Sequence, residues 1–352
     1  MSTRRAVRLR RWPAVVTAGL VLAGTLASIS PARSTPATGR QGARAAVAMT
    51  AVDGGVVDVT SKLGEPGASA AGTGIVVTPQ GGVLTNNHVI RGATDIRVTV
   101  AGGAEYPARV LGTNAREDVA LLQVVGAPGL TPSAFGDSTT LAVGQPVSAI
   151  GNAGGVGGAP SVATGTITRL HRSVTVTDDN ALHPEHLHDL IQTDANIQPG
   201  DSGGPLVDGA NQVIGMDTAA TVAPPGDQGP PEGFAIPINR ALDVVHQIEA
   251  GTSSADVHIG PAATLGVEVF PGDHAGHAVL VTRVASGSPA QTAGLASGDL
   301  ITSLDGKAVR SSAALTGRIQ RHHPGDVVRV RWVDAAGASS AATVQLADGP
   351  PD

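Results

Sequence analysis

Residues 197–207 read "IQPGDSGGPLV", one serine set among three glycines and two prolines. The residues after the serine decide the fold. The string satisfies the G-x-S-x-G pattern of a nucleophile elbow, in which a serine closes a strand and a helix begins at once. Here "PLVD" (205–208) and "QVIGMDTA" (212–219) continue as β-like runs, and strands alternating with helices occur nowhere in the chain. The elbow of a doubly wound sheet is therefore excluded.

Short apolar runs separated by turn residues recur on both sides of this stretch. They include "GTGIVVT" (72–78), "VLTNNHVI" (83–90), "DVALLQVV" (118–125), "VATGTITRL" (162–170) and "GFAIPI" (233–238). Connections this short cannot hold crossover helices, so the pattern predicts an antiparallel barrel or sandwich. One helical period stands out at 239–250, with Asn239 as its expected N-cap and Gly251 just past its end. A small-residue stretch follows, and from 264 onward a second unit has its own strand runs and the helix signal "SPAQTAGL" (288–295). The expected organisation is a signal peptide at 1–32, a mobile leader at 33–52, a first domain at 53–251, a linker at 252–263 and a second domain at 264–348.

Composition limits the function classes. The chain has 352 residues, room for two domains with separate cores, and only 2% aromatics, so Val, Ile, Leu and Ala must fill those cores. A basic start, an apolar stretch at 14–30 and the small-residue pattern "SPA" (30–32) read as an export signal. Its removal takes away five of the 23 basic residues and leaves 18 against 29 acidic ones, a net charge near −11. That balance argues against nucleic acid as a partner. The expected location is secreted or associated with the cell envelope, with no stable membrane insertion once the signal is cleaved. With no cysteine, disulfides, thiolate metal sites and a thiol nucleophile are excluded.

Acyl transfer requires a hydroxyl, a base, a group that orients the base, and donors aimed at the developing oxyanion. Ser202 is the candidate nucleophile, and the N–H groups of Gly200 and Ser202 are the candidate oxyanion donors. Among eleven histidines, His88 in "LTNNHVI" ends an apolar strand where a side chain reaches a barrel rim. Asp118 heads an otherwise apolar strand, where it can hold an imidazole in one tautomer. The order His88, Asp118, Ser202 is that of the chymotrypsin-type barrel and not of subtilisin or the α/β-hydrolases. The cluster "HPEHLH" (183–188) reads as solvated loop histidines, so neither metal nor cofactor is expected.

In combination, "TNNHVI", "DVALLQV", "TDANIQPGDSGGP" and "GFAIPIN" resemble the trypsin-like domain of HtrA-family serine proteases, secreted actinobacterial members above all. "TLGVEV" (264–269) and "SPAQTAGLASGDLITSLDGKAV" (288–309) resemble that family's PDZ domain. The resemblance implies a mostly β molecule, a chymotrypsin-like double β-barrel followed by a smaller α+β PDZ domain. It implies a serine endopeptidase that cleaves unfolded or partly folded proteins, with His88, Asp118 and Ser202 as its triad. It also places the PDZ carboxylate-binding loop at Leu265, Gly266 and Val267, for peptide C-termini. "GMDTAA" (215–220) takes the place of the loop lining the specificity pocket, with Met216, Asp217, Thr218 and Ala219 as lining. Small lining residues favour small aliphatic side chains, whereas a charged Asp217 would favour basic ones. No aromatic residue lies between Pro13 and Tyr106, so the family's aromatic-mediated trimer is not supported. The alternative from another class is a catalytically idle peptide-binding chaperone or scaffold; another is an esterase or acyltransferase on the same barrel. Asp201 is expected to accept hydrogen bonds from nearby backbone or polar groups, because the leader has no activation sequence that would supply a new N-terminal ammonium.

Overall fold

The computed structural model describes residues 55–64, 67–176, 185–221, 232–270 and 278–351. The signal, the leader and His183 lie outside the described residues.

The first half of the chain closes on itself. β1 (Val56–Leu63), β2 (Ser69–Val76), β3 (Gly82–Thr85), β4 (Ala93–Thr99), β5 (Glu105–Asn114) and β6 (Val119–Val124) pair in the order β5-β4-β1-β2-β3-β6, and β5 also pairs with β6. Alternating side chains point inward, so Val57, Val59, Val76, Val83, Val98 and Leu122 fill the interior without an aromatic. Between β3 and β4 the chain makes one helical turn, α1 (Asn87–Ile90), so His88 lies on helix and not at the end of a strand as expected. A four-residue helix is too short to leave a period in the sequence.

β7 (Pro146–Gly151), β8 (Ser161–Val176), β9 (Glu185–Thr193), β10 (Pro205–Val207), β11 (Val213–Thr221) and β12 (Glu232–Pro237) form a second closed barrel, ordered β10-β11-β12-β9-β8-β7. Val147, Ile167, Ile191, Leu206 and Ile214 fill it. A third apolar cluster forms the seam: Ile75, Leu84 and Leu121 of the first barrel meet Met216, Phe234 and Ile236 of the second. Each such side chain, fully buried, contributes about 1.5–3 kcal/mol of transfer free energy.

α2 (Ile238–Glu249) packs Ala241, Val245 and Ile248 onto that seam. It begins one residue before the expected cap: Pro237 holds the cap position with no side-chain hydrogen bond. The Asn239 side chain is used elsewhere, accepting from Ser138 N at 3.0 Å and donating to Asp137 at 3.0 Å. Gly251, with φ +63°, follows the helix end as expected.

The 252–263 segment, expected as linker, has structure of its own. Within it β13 (His258–Ile259) adds to the free edge of β5, and Gly260 N donates to Leu111 O at 2.7 Å. Edge backbone groups pair wherever a strand of suitable course passes, whatever its side chains.

Beyond it, β14 (Ala263–Thr264) pairs with β21 (Ala347–Asp348). A sheet runs β15 (Val267–Val269), β16 (Val279–Val284), β17 (Leu300–Leu304), β19 (Val327–Val333), β20 (Ser339–Gln345), with β18 (Lys307–Ala308) on β17. α3 (Pro289–Ala293) is capped by Ser288 and closed by the left-handed Gly294; α4 (Ser312–Ile319) is capped by Ser311. Leu265, Val281, Ile301, Val330 and Trp332 form this unit's separate core. Among the described residues no helix is long and apolar enough to cross a membrane.

Candidate active site

Three loops and one strand meet at the seam between the barrels. Asp118 closes the β5–β6 turn with φ +54°, a left-handed conformation that Asp tolerates better than most residues. That conformation turns a buried carboxylate, 1% exposed, back toward α1. Oδ1 accepts from His88 N at 2.9 Å, and Oδ2 lies 2.8 Å from His88 Nδ1. Thr218 Oγ1 donates to the same Oδ2 at 2.6 Å, and Asn86 Nδ2 donates to Asp118 O at 3.0 Å. The carboxylate places the proton of neutral His88 on Nδ1, which directs the basic Nε2 outward.

Ser202 lies on the loop between β9 and β10. Its hydroxyl donates to Thr218 O at 3.3 Å. The planar peptide fixes the direction of each backbone N–H through the carbonyl before it. Pro199 O accepts from Gly154 N at 2.7 Å, and Asp201 O accepts from Gly204 N at 2.8 Å. The N–H of Gly200 is therefore directed away from Gly154, and that of Ser202 away from Gly204. Among the described residues neither has a protein acceptor.

Across the seam, Thr73 on β2 clamps this loop. Its N–H donates to Ser202 O at 2.8 Å, and its hydroxyl donates to Gly200 O at 2.7 Å while accepting from Asn152 N at 2.9 Å. Glycine is required at 200 on two counts: φ is +99°, and a Cβ would come within 2.1 Å of Asn152 O. Asp201 is 2% exposed, with Oδ2 accepting from Gln198 N at 2.9 Å and Oδ1 3.1 Å from Ser161 Oγ. Its partners are thus a backbone group and a hydroxyl, as expected from the sequence.

The expected pocket residues are placed less openly. Met216 is wholly buried in the seam cluster, and the Thr218 hydroxyl is engaged by Asp118; the Ala219 side chain lies outside the described residues. Asp217 stands opposite Ala235 on β12 and exchanges backbone hydrogen bonds with Gly203 and Gly204. It is 0% exposed, and among the described residues neither carboxylate oxygen has a hydrogen-bond partner. Burial, with the nearby charge of Asp201 adding to it, pushes this carboxyl well above the usual range.

Away from the barrels, Leu265 is buried, and Gly266, at φ +77°, donates to Thr264 Oγ1 at 3.1 Å. Val267 opens β15, an edge strand of its sheet. Of the 183–188 histidines, His186 and His188 lie on β9 beside Thr175 and Ser173. Thr73, Asn152 and Ser161 had no signal in the sequence, since each acts through partners distant along the chain.

The model of the trypsin-like peptidase domain matches residues 72–216, and that of the PDZ domain matches 263–333. The chain is 34% identical over 357 aligned residues to the serine protease PepD of Mycobacterium tuberculosis, covering 97% of this chain and 72% of PepD. It is 35% identical over 269 residues to the periplasmic pH-dependent serine endoprotease DegQ of Escherichia coli, covering 74% of this chain but only 55% of DegQ. Among solved structures, the HtrA-type protease AlgW with a tripeptide aligns with a TM-score of 0.51 at 30% identity, over 87% of this chain and 98% of AlgW. Double barrel, seam and matches define a trypsin-like serine endopeptidase fused to a PDZ domain. The chain belongs to the HtrA-type serine proteases.

Proposed function

We propose that the chain is an exported endopeptidase that cleaves unfolded or partly folded proteins through an acyl-enzyme on Ser202. The observation that supports this most directly is the Asp118 cage, which holds His88 by Nδ1 and by its backbone N–H. Substrate entry turns the Ser202 hydroxyl from Thr218 O toward His88, whose Nε2 takes the proton as Oγ attacks the scissile carbonyl. The N–H groups of Gly200 and Ser202 receive the oxyanion. Collapse transfers the proton from His88 to the leaving amine, and water then repeats the steps on the ester. No cofactor takes part.

Small aliphatic side chains are the preferred residues at the cleaved bond. A buried Asp217 with both oxygens unpartnered is stable only as the neutral acid, which does not attract a basic side chain. The β15 edge, preceded by Leu265 and Gly266, receives peptide C-termini by strand addition. Export rests on the basic start and apolar stretch of residues 1–32 and on relatives named as periplasmic.

Digestion of denatured casein by wild type and Ser202→Ala tests the reading. Wild type should cut and the variant should not; equal digestion by both would overturn the assignment. Turnover of small esters without turnover of peptides would favour an esterase.

A further inference from the structure

Five close contacts converge on the Asp201 side of the nucleophile loop. Gly151, the last residue of β7, packs directly beneath Asp201, where a Cβ would come within 2.6 Å of its Cα and Oδ1. Opposite Gly151 in the register, Ser161 opens β8 and extends its hydroxyl across the gap. Ser161 Oγ lies 2.9 Å from Gly151 O, 3.1 Å from Asp201 Oδ1 and 3.3 Å from Ala153 N. The other Asp201 oxygen, Oδ2, takes the N–H of Gln198, at the start of the segment that leads through Pro199 to Gly200.

The rest of that flank is open. A cavity of about 310 Å³ lined by Ala153, Ser161, Thr164, Asn196, Gln198 and Asp201 lies beside the loop there. We infer that Ser161 is a positioning residue: by holding the Asp201 carboxyl between β7 and β8, it sets the direction in which Gly200 and Ser202 present their N–H groups. This rests on the proposed role of those two N–H groups as oxyanion donors.

Counting hydrogens shows how the contact works. The Ser161 hydroxyl has one hydrogen, and both Gly151 O and an ionised Asp201 could only accept it. Ser161 shares that hydrogen between Gly151 O and Asp201 Oδ1 while accepting from Ala153 N, so one side chain joins β7, β8 and the nucleophile loop. Burial raises the Asp201 carboxyl from its ordinary value, against the lowering effect of Gln198 N and Ser161. The described partners of the Asp201 carboxyl are thus a hydroxyl and a backbone N–H, with no ammonium among them.

The experiment compares wild type, Ser161→Ala, Ser161→Cys and Ser161→Thr in the full chain, using a short chromogenic peptide and a peptide boronic acid that mimics the tetrahedral adduct. A fluorophosphonate probe reports separately on Ser202. Alanine should lower kcat by about tenfold or more with KM within about twofold, and weaken boronate affinity by a similar factor, since only oxyanion contacts are lost. Threonine, which keeps the hydroxyl, should restore most of both. Cysteine keeps the volume with a weak donor and serves as second variant should alanine fail to fold; it should follow alanine. Wild-type kcat and boronate affinity in a folded alanine or cysteine variant would overturn the inference, as would a change confined to KM. Absence of fluorophosphonate labelling in an active wild type would overturn the reading of Ser202 itself, which keeps the two failures distinguishable.

Discussion

Thr218 Oγ1 and His88 Nδ1 share one oxygen, Asp118 Oδ2, at 2.6 and 2.8 Å. β11 thus also holds the carboxylate that meets the His88 imidazole. Replacing Thr218 by Val keeps the shape and removes the donor. A hydrogen bond to a charged group contributes about 1.5–3 kcal/mol, so kcat/KM should fall about tenfold to a hundredfold. Thr218→Ser should recover most of the activity. Peptide hydrolysis by the three proteins checks this; an unimpaired Val variant would show that Asp118 needs no third partner.

Asp201→Asn separates two ways of shaping the nucleophile loop. An asparagine amide can accept from Gln198 N and donate to Ser161, reproducing both contacts without charge. Activity within about threefold of wild type is expected, whereas Asp201→Ala, which loses both contacts, should lose most of its kcat. An inactive but folded Asn variant would mean that the loop requires a carboxylate, and hence a cationic partner such as an N-terminal ammonium.

The three side chains that meet at the candidate site stand out in the chain because they lie in short, punctuated strings: "NNHVI" around His88, "DVALL" from Asp118, "GDSGG" around Ser202. The scaffold that aims them was far less legible. Thr73 reads as an ordinary strand residue in "GTGIV", yet its hydroxyl holds Gly200, 127 positions away. Ser161 is likewise an unremarked serine until β7 and β8 pair. β20 consists of "SSAATVQ", poor in branched and aromatic residues, and forms because β19 pairs with it from Val327 opposite Gln345 to Val333 opposite Ser339. The cap of α2 was misread because Asn239, a good capping residue in isolation, bonds instead to the Asp137–Ser138 turn. Each difference is a tertiary partner outcompeting a local preference.

In the second unit, Gly266 sits at φ +77°, and a Cβ there would come within 2.3 Å of Ser288 Cβ, at the cap of α3. Gly266→Ala therefore meets both backbone strain, about 1–3 kcal/mol for a residue held in a sparsely populated region, and a contact that cannot relax at the end of a flexible chain. Binding of a C-terminal peptide by calorimetry should fall tenfold or more, while cleavage of a short peptide by the barrels should persist. Unchanged binding would remove Leu265, Gly266 and Val267 from the carboxylate-binding loop.

Asp217 links the pocket to stability through pH. Its carboxyl, wholly buried and unpartnered, titrates well above the ordinary value of 3.8, first because of burial and second because of the Asp201 charge. Over the window from 3.8 up to the folded-state value, the native protein keeps a proton that the unfolded chain has released. The native state then binds more protons, so stability falls as pH rises through that window. Asp217→Asn removes the titration but keeps the shape. Its melting temperature should exceed that of wild type near pH 7, and the gap should narrow as pH falls below 3.8, where Asp217 is neutral in both states. The same variant bears on specificity: a neutral Asp217 predicts that Asn leaves the preference for small aliphatic residues unchanged in a cleavage profile of a denatured protein mixture. A wild-type preference for cleavage after Lys or Arg that the Asn variant loses would show instead that Asp217 is ionised and faces the substrate.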